Sequence, residues 1–180
     1  MVDNLLELVR CVGFSDGAVI AGNQIVCDRV FRDICASNGC GVYGKCWMCP
    51  PDIGEIDTLI EEVKSYSFGV LYQSIFPLED SFDFEGMQEA GRIHGERSRA
   101  LDALLREEGY SNFLHLSKGG CGLCSPCAKV EGLPCRFPKE ALSSLEAYGV
   151  NVSATIKNTS MKYINGVDTV TYFGMILFRD

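Results

Sequence analysis

The chain has no uninterrupted apolar stretch approaching the ~18 residues that span a bilayer, so a membrane segment is not expected. Its first residues, MVDNLLELVRC, put Asp3 and Glu7 where a signal peptide carries basic side chains, which argues against a secretory leader. Basic runs and interleaved Arg and aromatic residues are also missing, and 16 Lys and Arg face 24 Asp and Glu for a net charge of -8. Nucleic acid binding needs concentrated positive charge, so that class of partner is excluded. Low-complexity segments and internal duplication are absent as well. With 47% hydrophobic and 22% charged residues in 180, the composition is that of one folded domain spanning 1–180 rather than of a disordered chain.

What the chain does have is ten cysteines. That is too small a fraction for a short disulfide-stapled scaffold, which typically exceeds ~8% cysteine. Without a leader the expected compartment is the cytoplasm. Clustered cysteines there point to metal ligands or redox-active thiols.

Apolar periodicity supplies the elements around these cysteines. A helix capped by Asp3 and ending near Gly13 is expected first, then short strands at 18–20 and 24–27 and a helical turn at 29–34. Asp52 and Glu55 form a capping-box pattern for a helix through Leu59, Ile60 and Val63. A buried strand at 67–76, a long helix at 84–108 and a strand at 112–117 follow. Pro138 suits the first turn of a helix through Leu142, Leu145 and Ala147, ahead of a strand at 150–156. The end reads as a hairpin, 160–164 and 167–178, turning at Asn165-Gly166. The expected fold is therefore α/β (or α+β): a mixed β-sheet flanked by helices, with crossovers giving parallel strands, a C-terminal β-hairpin at the edge and two cysteine-rich metal-binding loops.

The second loop carries the sharper motif, Cys121-Gly-Leu-Cys124-Ser-Pro-Cys127 with Cys135 beyond. Two successive C-x2-C steps bring three thiolates to one small surface, which suits an iron-sulfur cubane whose irons each take one thiolate. Tetrahedral zinc more often uses two separated C-x2-C knuckles. Gly119, Gly120 and Gly122 allow backbone N–H groups to approach the sulfurs. The first loop holds Cys35, Cys40, Cys46 and Cys49 at irregular spacing, with Cys49-Pro50 echoing the Cys-Pro that closes a ferredoxin run. Trp47 lies within it, either to shield a site from water or as ordinary packing.

On these residues the chain resembles the cysteine-rich "predicted metal-binding protein" family, a bacterial and archaeal domain of unknown function. The resemblance rests on Cys35, Cys40, the run from Tyr43 to Pro51, the Cys121–Cys127 motif, the run from Gly132 to Pro138 and Glu146-Ala-Tyr-Gly149. It implies metal binding without a defined reaction, and makes Cys46 the variable position. Were Cys46 not a ligand, the first site would hold three thiolates and an open place for a substrate.

The leading expectation is an iron-sulfur protein, with one or two 4Fe-4S clusters on these eight cysteines, acting in electron transfer or as a redox accessory to a partner enzyme. The alternatives are a zinc-stabilised binding or scaffold module and a metalloenzyme with an open site at the first loop. Four thiolates outweigh the charge of either core, so a redox partner with a basic docking patch is expected. Catalytic residues and oligomeric state are not indicated.

Other features read as bland. Gly39-Cys-Gly41-Val-Tyr-Gly44 matches a dinucleotide fingerprint but lacks its preceding strand and following helix. His94 reads as a packed core histidine, and His115 as facing either the site or solvent. Arg136 could bond an anionic ligand or make a surface ion pair. Cys11 and Cys27 read as small buried hydrophobes.

Overall fold

Two ten-residue apolar runs become the central strands of a five-stranded sheet. In the computed structural model, which describes residues 2–179 (Val2 and Asp3 by backbone only), β2 (Phe68–Pro77) pairs antiparallel with β5 (Thr169–Phe178) along its whole length. β1 (Asp16–Ala21) flanks β2, and β3 (Phe113–Ser117) flanks β5, both antiparallel. The two-residue β4 (Ser143–Ser144) adds to β3 in parallel, giving the order β1-β2-β5-β3-β4.

Successive side chains of a strand point to opposite faces, and here both faces are covered. One face, with Val70, Tyr72, Ile176 and Phe178, packs on α1 (Val2–Cys11) and α4 (Phe84–Glu107) through Leu5, Val9, Leu101 and Leu105. The other, with Leu71, Met175 and Leu177, packs on Val63 of α3 (Ile56–Lys64) and on Val152 and Ile156. Double coverage explains why β2 and β5 read as continuous apolar runs rather than alternating ones. The long α4 starts where expected, with the Asp83 side chain accepting from the Gly86 N–H at 2.8 Å.

A mixed sheet with helices on its faces is what the sequence predicts, but its connectivity differs. Apart from the β3–β4 pair the strands are antiparallel. The predicted strand at 150–156 is instead the short α5 (Val152–Thr155) and a 3-10 turn, because the Asn151 side chain caps it by accepting from the Ala154 N–H. The predicted helix after Pro138 gives way to β4 and a 3-10 turn at Glu146–Tyr148, closed by Gly149 at φ +77°. Strand 24–27 reduces to a single Cys27–Val150 bridge. The C-terminal hairpin does not form: β5 already has β2 and β3 on its two edges, leaving no edge for 160–164. Asn165 still turns the chain, donating to Lys162 O and Thr171 Oγ1. Glu55 precedes α3 without a side-chain cap, since Asp52 pairs with Lys129 instead. α2 (Val30–Ala36) and α3 form as expected. Asp3 falls within α1, and its side chain lies outside the described residues.

A polar chain crosses the α4 face of the sheet. The buried Tyr72 hydroxyl lies 2.7 Å from His115 Nε2 and 3.0 Å from Ser98 Oγ, and His115 Nδ1 is 3.2 Å from Asp102 Oδ1. A carboxylate only accepts, so a neutral His115 donates from Nδ1 to Asp102 and accepts the Tyr72 proton at Nε2. Gly174, directly across from Tyr72, is required there: a Cβ would stand 2.2 Å from the tyrosine ring. Tyr72→Phe is expected to lower stability by about 1–3 kcal/mol in urea unfolding, because it leaves His115 Nε2 buried and unpaired. An unchanged midpoint would show that the hydroxyl is dispensable.

Candidate metal centre

β3 delivers the chain into the second cysteine loop, and β4 receives it on the far side. Within this loop Cys127 precedes a 3-10 turn at Ala128–Glu131, whose Ala128 is fully buried and anchors the loop. Arg136 spans the loop, donating to Pro126 O at 3.2 Å and pairing with Glu131. That settles Arg136 as a loop-closing ion pair.

The first loop is fastened against the second. Trp47 Nε1 donates to Leu133 O at 2.9 Å, Asp52 pairs with Lys129, and the Lys129 ammonium sits 4.4 Å above the Trp47 ring. This fastening divides the cysteines differently from their order in sequence. Cys121, Cys124, Cys127 and Cys135 line one small recess beside Trp47 and Phe137, and Cys46 lines it with them. Cys35, Cys40 and Cys49 instead line a neighbouring cleft of about 160 Å³, together with Tyr43, Pro50 and Glu146.

The two hollows meet at Cys46 and Cys49, both buried. The Cys46 thiol is drawn down to about 5, chiefly because its sulfur accepts the S–H of Cys49, against burial, with further donation from the Cys121 and Met48 N–H groups and from Cys127. Cys49 moves the opposite way, since it keeps the shared proton and is buried. Burial also raises Cys121, opposed by the N–H groups of Leu123 and Leu142 donating to its sulfur. Cys35 is raised by burial and then by Cys40, with Glu146 adding to the effect. The Glu146 carboxyl is itself raised by burial.

Among the described residues no group of three or more His, Cys, Asp or Glu stands in metal-holding geometry. The cysteines share two hollows without closing on a common point. Their chemistry nonetheless fits a thiophilic metal: soft sulfur donors, several per hollow, with backbone N–H groups directed at Cys46 and Cys121. None of the ten cysteines is in a disulfide.

The other candidates lie elsewhere. His115 faces neither cysteine hollow nor solvent but the α4 side of the core, in the chain to Asp102. His94 is packed as expected, with Nδ1 2.9 Å from Ser74 Oγ. Cys27 is half-buried against the core, whereas Cys11 is exposed at the end of α1, so the expectation of a buried Cys11 is corrected. Glu146 belongs to a run that carries the family resemblance, but its place beside Cys35, Cys40 and Cys49 is not foreseen, because a lone carboxylate in an apolar segment carries no spacing signal. No helix among the described residues is long and apolar enough to cross a membrane.

Nothing among the curated proteins matches the chain, and no solved structure does. A family match covers residues 18–178, from within β1 to the last residue of β5, and so takes in both cysteine loops and the whole of β2 to β5. On that match the chain belongs to the family described as Predicted metal-binding protein (DUF2284).

Proposed function

We propose that this metal-binding protein carries an iron-sulfur cluster on Cys121, Cys124, Cys127 and Cys135 and works in electron transfer, as a redox accessory to a partner enzyme. The observation that carries the reading is that these four cysteines line one recess, three of them from a C-x2-C-x2-C run whose spacing suits a cubane. A bound cluster would supply one-electron transfer. The chain's own part is to hold the four thiols together, to direct N–H groups at Cys121 and to cover the recess with Trp47 and Phe137. With a net charge of -8, the partner is expected to dock through a basic patch.

A second metal at the first loop would take Cys35, Cys40 and Cys49. The turn of Cys46 toward the other recess supports an open position there, which Glu146 or a substrate could fill. The zinc reading draws support from the tightness of the second-loop recess, with free space of about 10 Å³, room for a single ion.

Anaerobic purification followed by iron, zinc and acid-labile sulfide analysis tests the assignment. A brown protein with iron and sulfide in equal amounts is expected. A colourless protein with stoichiometric zinc and no iron would overturn the iron-sulfur reading.

A further inference from the structure

A third cleft, of about 200 Å³, opens between α4 and the end of β3 and shares Cys121 with the second-loop recess. Its lining includes Arg92, Arg99 and Lys118 and not one carboxylate, in a chain where acidic side chains outnumber basic ones 24 to 16. Arg92 is neutralised by Glu89 and Glu96. Arg99 and Lys118 are different: among the described residues neither takes part in an ion pair, and the charge of Lys118 meets only the face of the Tyr172 ring, 5.6 Å away.

Both are half-buried, and they are close enough for the Arg99 charge to act on the Lys118 ammonium. Two like charges facing one half-buried cleft repel each other, and four ion pairs elsewhere show that carboxylates were available to this chain. The helix wall is kept low by glycine. A Cβ on Gly91 would lie 3.0 Å from Lys118 Nζ and one on Gly95 3.4 Å from Arg99 Nη1, so side chains there would crowd both cations. Ser117 adds a hydroxyl, and Gln88 an amide, to the same lining.

We propose that this cleft is a binding site for a small dianionic oxyanion group, a phosphate or a dicarboxylate. The planar Arg99 guanidinium engages two oxygens in a fork and Lys118 acts as a point charge beside it. The anion takes the place of the missing carboxylate and relieves the repulsion. The site lies next to Cys121, so a ligand held there would sit beside whatever that sulfur binds, but the proposal rests on the two cations that lack a carboxylate and not on the identity of any metal.

Isothermal titration of the anaerobically purified protein in low-salt buffer tests this, with inorganic phosphate in one arm and succinate in the other. Saturable binding in at least one arm is expected; the arm that responds tells a phosphate ligand from a carboxylate one. Arg99→Gln and Lys118→Met should each weaken that binding roughly tenfold or more, the usual worth of a charge-assisted hydrogen bond. Because Arg99 takes part in no ion pair, Arg99→Gln should keep the thermal midpoint of the ligand-free protein while losing the upward shift that the anion gives the native protein; Lys118, whose ammonium also lies 5.6 Å over the Tyr172 ring, is judged on binding alone. Absence of saturable binding in both arms would overturn the proposal and leave the two cations as counter-charges for the cysteine centre. Binding unaltered in both variants would overturn it equally.

Discussion

Cys124→Ala is expected to lower metal occupancy at the second cysteine loop by at least ~10- to 100-fold, leaving the sheet intact. That range is what loss of an outer-shell partner alone costs a metal site, and a lost ligand costs no less. Cys124 is the central sulfur of the C-x2-C-x2-C run and lines the recess with Cys121, Cys127 and Cys135. The loop is fastened by Arg136, by the Trp47–Leu133 hydrogen bond and by the Lys129–Asp52 pair, so the loss should reflect the missing sulfur rather than a collapsed loop. The sheet should survive, since its packed faces are formed by β2, β5 and the helices rather than by the loop. Metal content per chain, read beside far-UV circular dichroism, checks both halves of the expectation. Cys11→Ala is the control: its thiol is exposed on α1, apart from both hollows, and should change neither quantity. Full metal retention in Cys124→Ala would remove the second loop from the site.

Acid should destabilise the fold through His94. Burial in the core, then the charge of Lys118, with His115 and Arg97 adding to it, hold this imidazole down to about 3 against the upward pull of the Phe173 backbone. The folded-state value lies below the ordinary 6.5, so as pH falls the unfolded chain takes up the proton first. His94 therefore costs no stability above pH 6.5, and stability is lost progressively from there toward pH 3. Between pH 8 and pH 5 the loss from this one residue is about 2 kcal/mol, because each pH step of one below 6.5 favours the protonated, unfolded chain by about 1.4 kcal/mol. His115, also lowered chiefly by burial although Asp102 opposes it, adds to the loss in the same direction. Urea unfolding across this range measures it, and His94→Asn, which cannot titrate, should flatten the slope. An equal slope in the variant would place the acid sensitivity elsewhere.

Much of the fold was legible from local pattern. The run at 68–77 is long and apolar enough to be read as a buried strand, 169–178 reads as a strand although its central place in the sheet does not, and α4 repeats Ala90, His94, Ser98, Leu101 and Leu105 at helical spacing on its buried face. The failures fall where a segment is short and its state is set by a distant neighbour. Residues 150–156 are apolar enough for a strand, but one side-chain cap at Asn151 and a bridge to Cys27 turn them into a helix. Residues 160–164 could pair only with an edge that β2 and β3 already occupy. No local feature reports on that competition.

The same division runs through the site. The sequence by itself determined that eight cysteines lie in two glycine-rich loops, that the second has cluster-like spacing and that the surface is acidic, because spacing and composition are properties of neighbours along the chain. Only the tertiary structure decided that Cys46 lines the recess of the other loop, that Glu146 joins Cys35, Cys40 and Cys49, that His115 meets Asp102 and that Arg99 and Lys118 share a cleft. Each of these pairs residues from different elements, and their meeting depends on the order in which five strands close into one sheet and on which loops that order brings side by side.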